Sequence, residues 1–165
     1  MVQRLWAPWR IEYLEKFKEK KEEGCFICDA VAATDQKKHY VLEKGVHHIV
    51  LMNLYPYNSG HLLVAPIDHV AQLENLDEKV VLAIFGALVK WLSVIKKAMK
   101  PDGFNLGINL GEAAGAGLPQ HLHIHIVPRW VGDTNFMPTI GSTKVISESL
   151  DATYQKLLNA LSQSS

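Results

Sequence analysis

The chain has 165 residues, 48% of them hydrophobic and 21% charged, with 17 basic and 17 acidic side chains. That length suits one packed domain, and that composition excludes a disordered chain. The formal charge of zero leaves no field to hold nucleic acid or an anionic membrane, so any phosphate must be gripped locally.

The first predicted element is an amphipathic helix over 11–23, where Ile11, Leu14 and Phe17 recur at helical spacing and Gly24 supplies a stop. Its charge run reads as a solvated face rather than a nucleic-acid arm. The preceding "MVQRLWAPWR" lacks the apolar stretch of a secretory signal. Trp6, Trp9 and Trp130 each combine apolar area with a donor, which suits interface anchors and core packing alike. Cys25 and Cys28 follow as CxxC. Two cysteines cannot make a disulfide framework, so a metal site, a redox pair and plain thiols all stay open.

Three short runs rich in β-branched residues come next, "HYVLEKG", "HHIVLMN" and "HLLVAP", separated by turn-like segments. They predict consecutive antiparallel strands. From Asn75 to Met99 the apolar residues Val81, Ile84, Phe85, Leu88, Leu92 and Ile95 recur at steps of three and four, with Asn75 and Glu78 resembling a capping box. The apolar run inside this helix, "VVLAIFGALV", falls well short of the ~20 residues that cross a bilayer, so no membrane association and a cytoplasmic location are expected. His39, His47 and His48 show no pattern that assigns them chemistry.

"PDG" breaks the helix, "FNLGINL" reads as a strand, and the glycine- and alanine-rich "GEAAGAGLPQ" leads into "HLHIHIVPRW". A last helix is predicted over 147–161 through Leu150, Tyr154, Leu157 and Leu161. Strands, then a helix, then strands argue for one α+β domain over 1–165, an antiparallel sheet packed against helices, with a core of about 24–140 and helical extensions at both ends.

His121, His123 and His125 occupy every second position, with Leu122, Ile124 and Ile126 between them. On a strand the three imidazoles share one face and the apolar residues enter the other. Crowded imidazoles penalise one another's protonation, and strand propensity would favour threonine, valine or tyrosine. The run therefore points to chemistry, either a metal site or reaction at phosphorus. A neutral imidazole is a ligand and a nucleophile near pH 7. The loop before it, with Gly111, Gly115 and Gly117, lets backbone approach a ligand and offer N–H groups to phosphate oxygens, which a metal site would not need.

"HLHIHIV" resembles the signature of the histidine triad (HIT) family. "LWAPWR", "CFIC", "LMNLYPYNSGHLLVAP", "GFNLGINLGEAAGAG" and "VPRWVGDTNFMP" extend the likeness to its bacterial Fhit-like branch, which includes diadenosine tetraphosphate phosphorylases. The resemblance implies a HIT-like fold and a nucleotidyl hydrolase or transferase acting at the α-phosphate of a nucleotide or dinucleoside polyphosphate. It implies that His123 is the nucleophile, that His121 and His125 orient it and bind phosphate or assist the leaving group, and that His61, beside the triad, completes the catalytic set. By the same likeness Asn53 holds the ribose, Leu51 lines the base pocket, and Asn109, Gly115, Ala116 and Gly117 contact phosphate. Leu118 and Pro119 stand where many members carry glutamine and a hydroxyl residue, so one side-chain phosphate contact is expected to be missing. Cys25, Cys28, His69 and His121 correspond to a structural zinc site; no organic cofactor is implied, and a homodimer is. Competing readings are hydrolysis of a nucleoside phosphoramidate or nucleotidyl conjugate, a nucleotide-binding module with little turnover, and a metalloenzyme using all three histidines.

Overall fold

The computed structural model describes residues 24–135 and 146–163. The predicted helix over 11–23, with Trp6 and Trp9, lies outside the described residues. Cys25–Asp133 and Ile146–Ser165 group as one compact unit; Met1–Gly24 and Thr134–Val145 group as another, of which only Gly24, Thr134 and Asn135 are described.

In chain order the elements are α1 (Phe26–Ala32), β1 (Val41–Lys44), β2 (His48–Met52), β3 (Leu62–Pro66), α2 (Glu78–Met99), β4 (Gly103–Ile108), β5 (Ile124–Arg129) and α3 (Leu150–Ser162). The strands form one sheet in the order β1-β2-β3-β5-β4, every neighbouring pair antiparallel. This is the expected α+β arrangement.

The central strands are apolar at almost every position because both faces of the sheet are covered. Val50, Met52, Leu62, Val64, Ile124 and Ile126 point into a core completed by Ile84, Leu88, Trp91 and Ile95 of α2 and Leu157 of α3. The alternate residues Ile49, Leu51, Leu63 and Ala65 pack on the opposite face with Ile27 and Ala30 of α1, Val41 and Leu118. The second face also carries the histidines. Leu118, which stands where a phosphate-contacting side chain was expected to be missing, is buried in this second cluster.

Two details of α2 differ from the sequence reading. Asn75 lies in a separate 3₁₀ turn, Leu73–Asn75, with its amide donating to Gln72, so there is no capping box; Asp77 takes the N-cap position without a side-chain bond. The buried stripe is Val80, Ile84, Ala87, Leu88, Trp91, Val94 and Ile95, whereas Phe85 is exposed and Val81 is only half-buried. The phase is set by Trp91, whose ring is fully buried and whose Nε1–H donates to Glu43 Oε2 at 2.7 Å. Burial alone would raise the Glu43 carboxyl, but Lys90, Trp91 and His48 together hold it below its ordinary value. Among the described residues no helix is long and apolar enough to cross a membrane.

Candidate functional site

The strand register gathers the site. Leu51 pairs with Leu63, Leu63 with His125 and His125 with Gly107, one row across β2, β3, β5 and β4 on a single face, because directly paired residues share a face. Ile108 pairs with Ile124 at the end of this ladder, and half-buried Asn109 follows directly after β4.

The three alternating histidines do not end up equivalent. β5 begins at Ile124, so only His125 sits within the strand; the segment before it is drawn toward residues 66–70 by Leu122 N–H donating to Val70 O at 2.7 Å. His121, His123 and His125 are all buried, at 0%, 6% and 8% exposure. His121 turns away from the other two, its ring centroid 5.0 Å from His69. His123 and His125 stay together at 4.9 Å, and His61 lies 5.1 Å from His125.

Hydrogen bonds assign the protons. Tyr57 N–H donates to His61 Nδ1 at 3.0 Å, so that nitrogen is an acceptor and the His61 proton is on Nε2. His61 Nε2–H therefore donates to His125 Nδ1 at 2.9 Å. The His125 proton is left on Nε2, a buried atom with no partner among the described residues. His123 Nδ1–H donates to the His121 carbonyl at 2.8 Å, which leaves the lone pair of its Nε2 free. One ring thus offers a nucleophilic nitrogen and its neighbour an unsatisfied donor. Such an orphan is costly unless something absent from the protein completes it.

Burial, the positive charge that His125 would carry and that of His123 push His61 down to about 3. Burial and His123 push His125 down to about 4. His123 is lowered by burial, partly opposed by its bond to the His121 carbonyl. Both His61 and His125 are neutral at any physiological pH. In the unfolded chain they would protonate near 6.5, so below that pH the unfolded state binds more protons and folding weakens as acid is added. The contribution is fully present above about 6.5 and is lost progressively as pH falls toward about 4 for His125 and about 3 for His61, with a slope of up to about 1.4 kcal/mol per pH unit for each histidine. Urea denaturation at pH 7, 6 and 5 should show a falling midpoint; an unchanged midpoint would contradict the neutral pair. The lowered carboxyls of Glu43 and Glu148 act in the more acidic range and do not mimic this.

A second cluster adjoins the first through His121. Cys25, Cys28, His69 and His121 place one ligand atom each within 4.8 Å of one another and could hold a metal ion. Cys25 is the N-cap of α1 and accepts from Cys28 N–H, which explains why CxxC brings both sulfurs to one helix end. His121 Nδ1 lies 3.2 Å from Cys25 Sγ and 3.5 Å from Cys28 Sγ, and His69 Nδ1 lies 3.2 Å from Cys28 Sγ. His121 Nε2–H donates to the Pro66 carbonyl at 3.1 Å, which fixes its tautomer and aims the Nδ1 lone pair at the sulfurs. Without a metal, burial and the neighbouring Cys25 push the Cys28 thiol up to about 11.

The remaining expected residues are placed as follows. Asn53 is half-buried; its Nδ2 is 3.4 Å from His61 Nδ1 and its Oδ1 accepts from Tyr55 N–H. Leu51 is buried in the apolar cluster. The N–H groups of Gly115 and Ala116 donate to Glu112 O and Gly111 O within the loop. Only the Gly117 N–H of those three has no partner among the described residues.

Two contributors escaped the sequence reading. Tyr57 sets the His61 tautomer with its backbone, and its ring lies tilted at 4.6 Å from His61 and stacks at 5.7 Å on His125. Asp133 accepts from Asn58 Nδ2 and from Arg129 Nε and Nη2, each at 2.7 Å, and from Trp130 N–H, while Asn58 also donates to Pro128 O. This bidentate knot ties the turn before His61 to the end of β5. The aromatic four residues ahead of His61 and the "RWVGD" after the triad were the available signals.

Comparison with known proteins agrees with this geometry. A family profile described as HIT domain matches residues 33–131. The chain is 39% identical over 161 residues to a protein of Mycobacterium tuberculosis named AP-4-A phosphorylase, covering 94% of this chain and 83% of that one. Over 82 residues it is 37% identical to the Schizosaccharomyces pombe bis(5'-nucleosyl)-tetraphosphatase (asymmetrical), covering 50% of this chain and 44% of that one. Among solved structures, a histidine triad family protein of Mycobacterium smegmatis described as Zn-bound superposes with a TM-score of 0.69 at 23% identity, over 85% of this chain and 94% of that one.

Proposed function

Since the chain belongs to the HIT domain family, we propose that it cleaves dinucleoside polyphosphates, with diadenosine tetraphosphate as the leading substrate, through a nucleotidyl intermediate on His123. The observation that carries this reading is the pairing of a free His123 Nε2 lone pair, its other nitrogen bound to the His121 carbonyl, with the unpartnered Nε2–H of His125. The names of the relatives in Mycobacterium tuberculosis and Schizosaccharomyces pombe support the substrate class.

In the proposed reaction His123 Nε2 forms a bond to the α-phosphorus while the bond from that phosphorus to the leaving polyphosphate breaks, its electron pair departing with the polyphosphate. The His121 carbonyl, already accepting from Nδ1–H, stabilises the positive charge that the ring acquires. The His125 Nε2–H hydrogen-bonds a phosphoryl oxygen, the kind of preorganised donor that supplies most of the stabilisation in phosphoryl transfer. Water or inorganic phosphate then attacks phosphorus, and the P–N electron pair returns to His123. Asn53 and Leu51 serve the ribose and base, and Asn109 and the Gly117 N–H serve phosphate oxygens. Incubation with diadenosine tetraphosphate, with and without phosphate, tests the reading: ADP plus ATP formed only with phosphate marks a phosphorylase, AMP plus ATP an asymmetric hydrolase, and unchanged substrate in both refutes the assignment.

Cys25, Cys28, His69 and His121 would hold a zinc ion, since two sulfurs and two nitrogens make a closed tetrahedral set. Four protein ligands leave no open position, so the ion would supply stability rather than Lewis-acid chemistry. Three of the sulfur–nitrogen separations are 3.2 to 3.5 Å and all four ligand atoms lie within 4.8 Å of one another, close to the spacing of roughly 3.5 to 3.8 Å that tetrahedral bonds of about 2.0 to 2.3 Å require. Purified without chelator, the protein should carry one zinc per chain, lose it in Cys28→Ser, and bind it more tightly as pH rises because the Cys28 proton must leave. A metal-free preparation would defeat the proposal. Chelation should lower the melting temperature while His123 chemistry persists; abolished turnover in still-folded protein would favour the metalloenzyme instead. The family resemblance also supports a homodimer, and two free thiols suit a reducing, cytoplasmic setting.

A further inference from the structure

Gly107 lies in the interior of β4, directly paired with His125. Strand interiors favour β-branched and aromatic residues, and glycine weakens them, so this position calls for a reason. The backbone gives none, because Gly107 is not among the positive-φ glycines. Packing gives none either: Gly107 is exposed, and a Cβ built there would meet only open space within 4 Å. Gly60, by contrast, has a φ of 75° and would press a Cβ to 2.6 Å from Met99 Sδ. Nothing in the fold therefore forbids a side chain at Gly107.

The neighbour across the ladder supplies the missing reason. His125 is buried, and its Nδ1 is engaged by His61, which immediately precedes β3 on one flank of β5. The two nitrogens lie on opposite sides of the ring, so the unpartnered Nε2–H faces away from the β3 flank. On the other flank the sheet presents the bare backbone of Gly107, followed by half-buried Asn109 and the loop that starts at Gly111. An orphan donor beside an empty strand position marks space kept for a ligand group.

We propose that Gly107 is a specificity-determining position, whose missing side chain keeps open a channel over β4 for the oligophosphate chain that leaves the α-phosphorus. This rests on the function proposed above and deepens it: the chain selects substrates whose departing group is a long, charged oligophosphate. A β-branched residue at 107 would stand in that channel at no cost to the strand.

The test compares Gly107→Val and Gly107→Ala with the unmodified protein, binding AMP and a non-hydrolysable methylene-bridged analogue of diadenosine tetraphosphate by calorimetry. AMP fills the α-phosphate seat without the chain. Gly107→Val should weaken the analogue about tenfold or more, as overpacking of a filled space does, and shift AMP far less, with Gly107→Ala intermediate. The melting temperature should stay level or rise, which separates the result from misfolding. Equal weakening of both ligands, or no change in either, overturns the channel. Failure of the unmodified protein to bind either ligand overturns the underlying function, and the channel with it.

Discussion

His123→Asn should lower turnover of diadenosine tetraphosphate by on the order of 10⁴-fold or more, the scale on which removal of a nucleophile acts. Asparagine can still donate to the carbonyl that now receives His123 Nδ1–H, so the local backbone should keep its course. What disappears is the Nε2 lone pair, without which no bond to phosphorus forms. Intact-mass measurement after rapid quenching should find nucleotidylated protein in the unmodified chain and none in the variant. A labelled variant would disprove the assignment. A variant that fails to label and also melts much earlier would point to packing, since this ring is buried.

His125→Ala should cost about 10²- to 10³-fold in kcat, the range seen when one preorganised donor to a developing charge is removed. In the proposed reaction His61 would act only through His125 Nδ1, as a positioning residue. His61→Ala should therefore cost less, and the double variant should be no slower than His125→Ala alone, a departure from additivity that marks residues acting in series. Additive losses would mean that His61 contacts substrate independently. Because burial and neighbouring positive charge hold both rings far below the ordinary histidine range, neither should produce a limb in the pH–rate profile above pH 6.

Much of this was legible in the residues. The apolar alternation of β2, β3 and β5 announces strands, because only a pleated strand sends successive side chains to opposite faces. The steps of three and four in α2 announce a helix for the corresponding reason. The triad and its glycine-rich approach carry enough chemistry to name the family. The phase of α2 was harder to read: Val81 and Phe85 are as apolar as Val80 and Trp91, and periodicity alone cannot say which side a partner sheet will cover. The Asn75–Glu78 spacing matched a cap by local pattern, yet the turn at Leu73–Asn75 closed before the helix began.

The sequence by itself determined which residues could be ligands and nucleophiles, and that His121, His123 and His125 belonged together. The likeness to known sequences already set His121 beside Cys25, Cys28 and His69, but only the tertiary structure supplied the physical cause of the division. The hydrogen bond from Leu122 to Val70 turns His121 toward Cys25, Cys28 and His69, while pairing with β3 and β4 leaves His125 between His61 and the empty position at Gly107. Tautomers followed from the same source, since a ring nitrogen's role is set by whatever donor or acceptor lies opposite it. Those partners, the Tyr57 amide, the Pro66 carbonyl and the His121 carbonyl, are backbone groups. Every residue carries such groups, so no residue identity reveals them, and only the folded path of the chain decides which imidazole they meet.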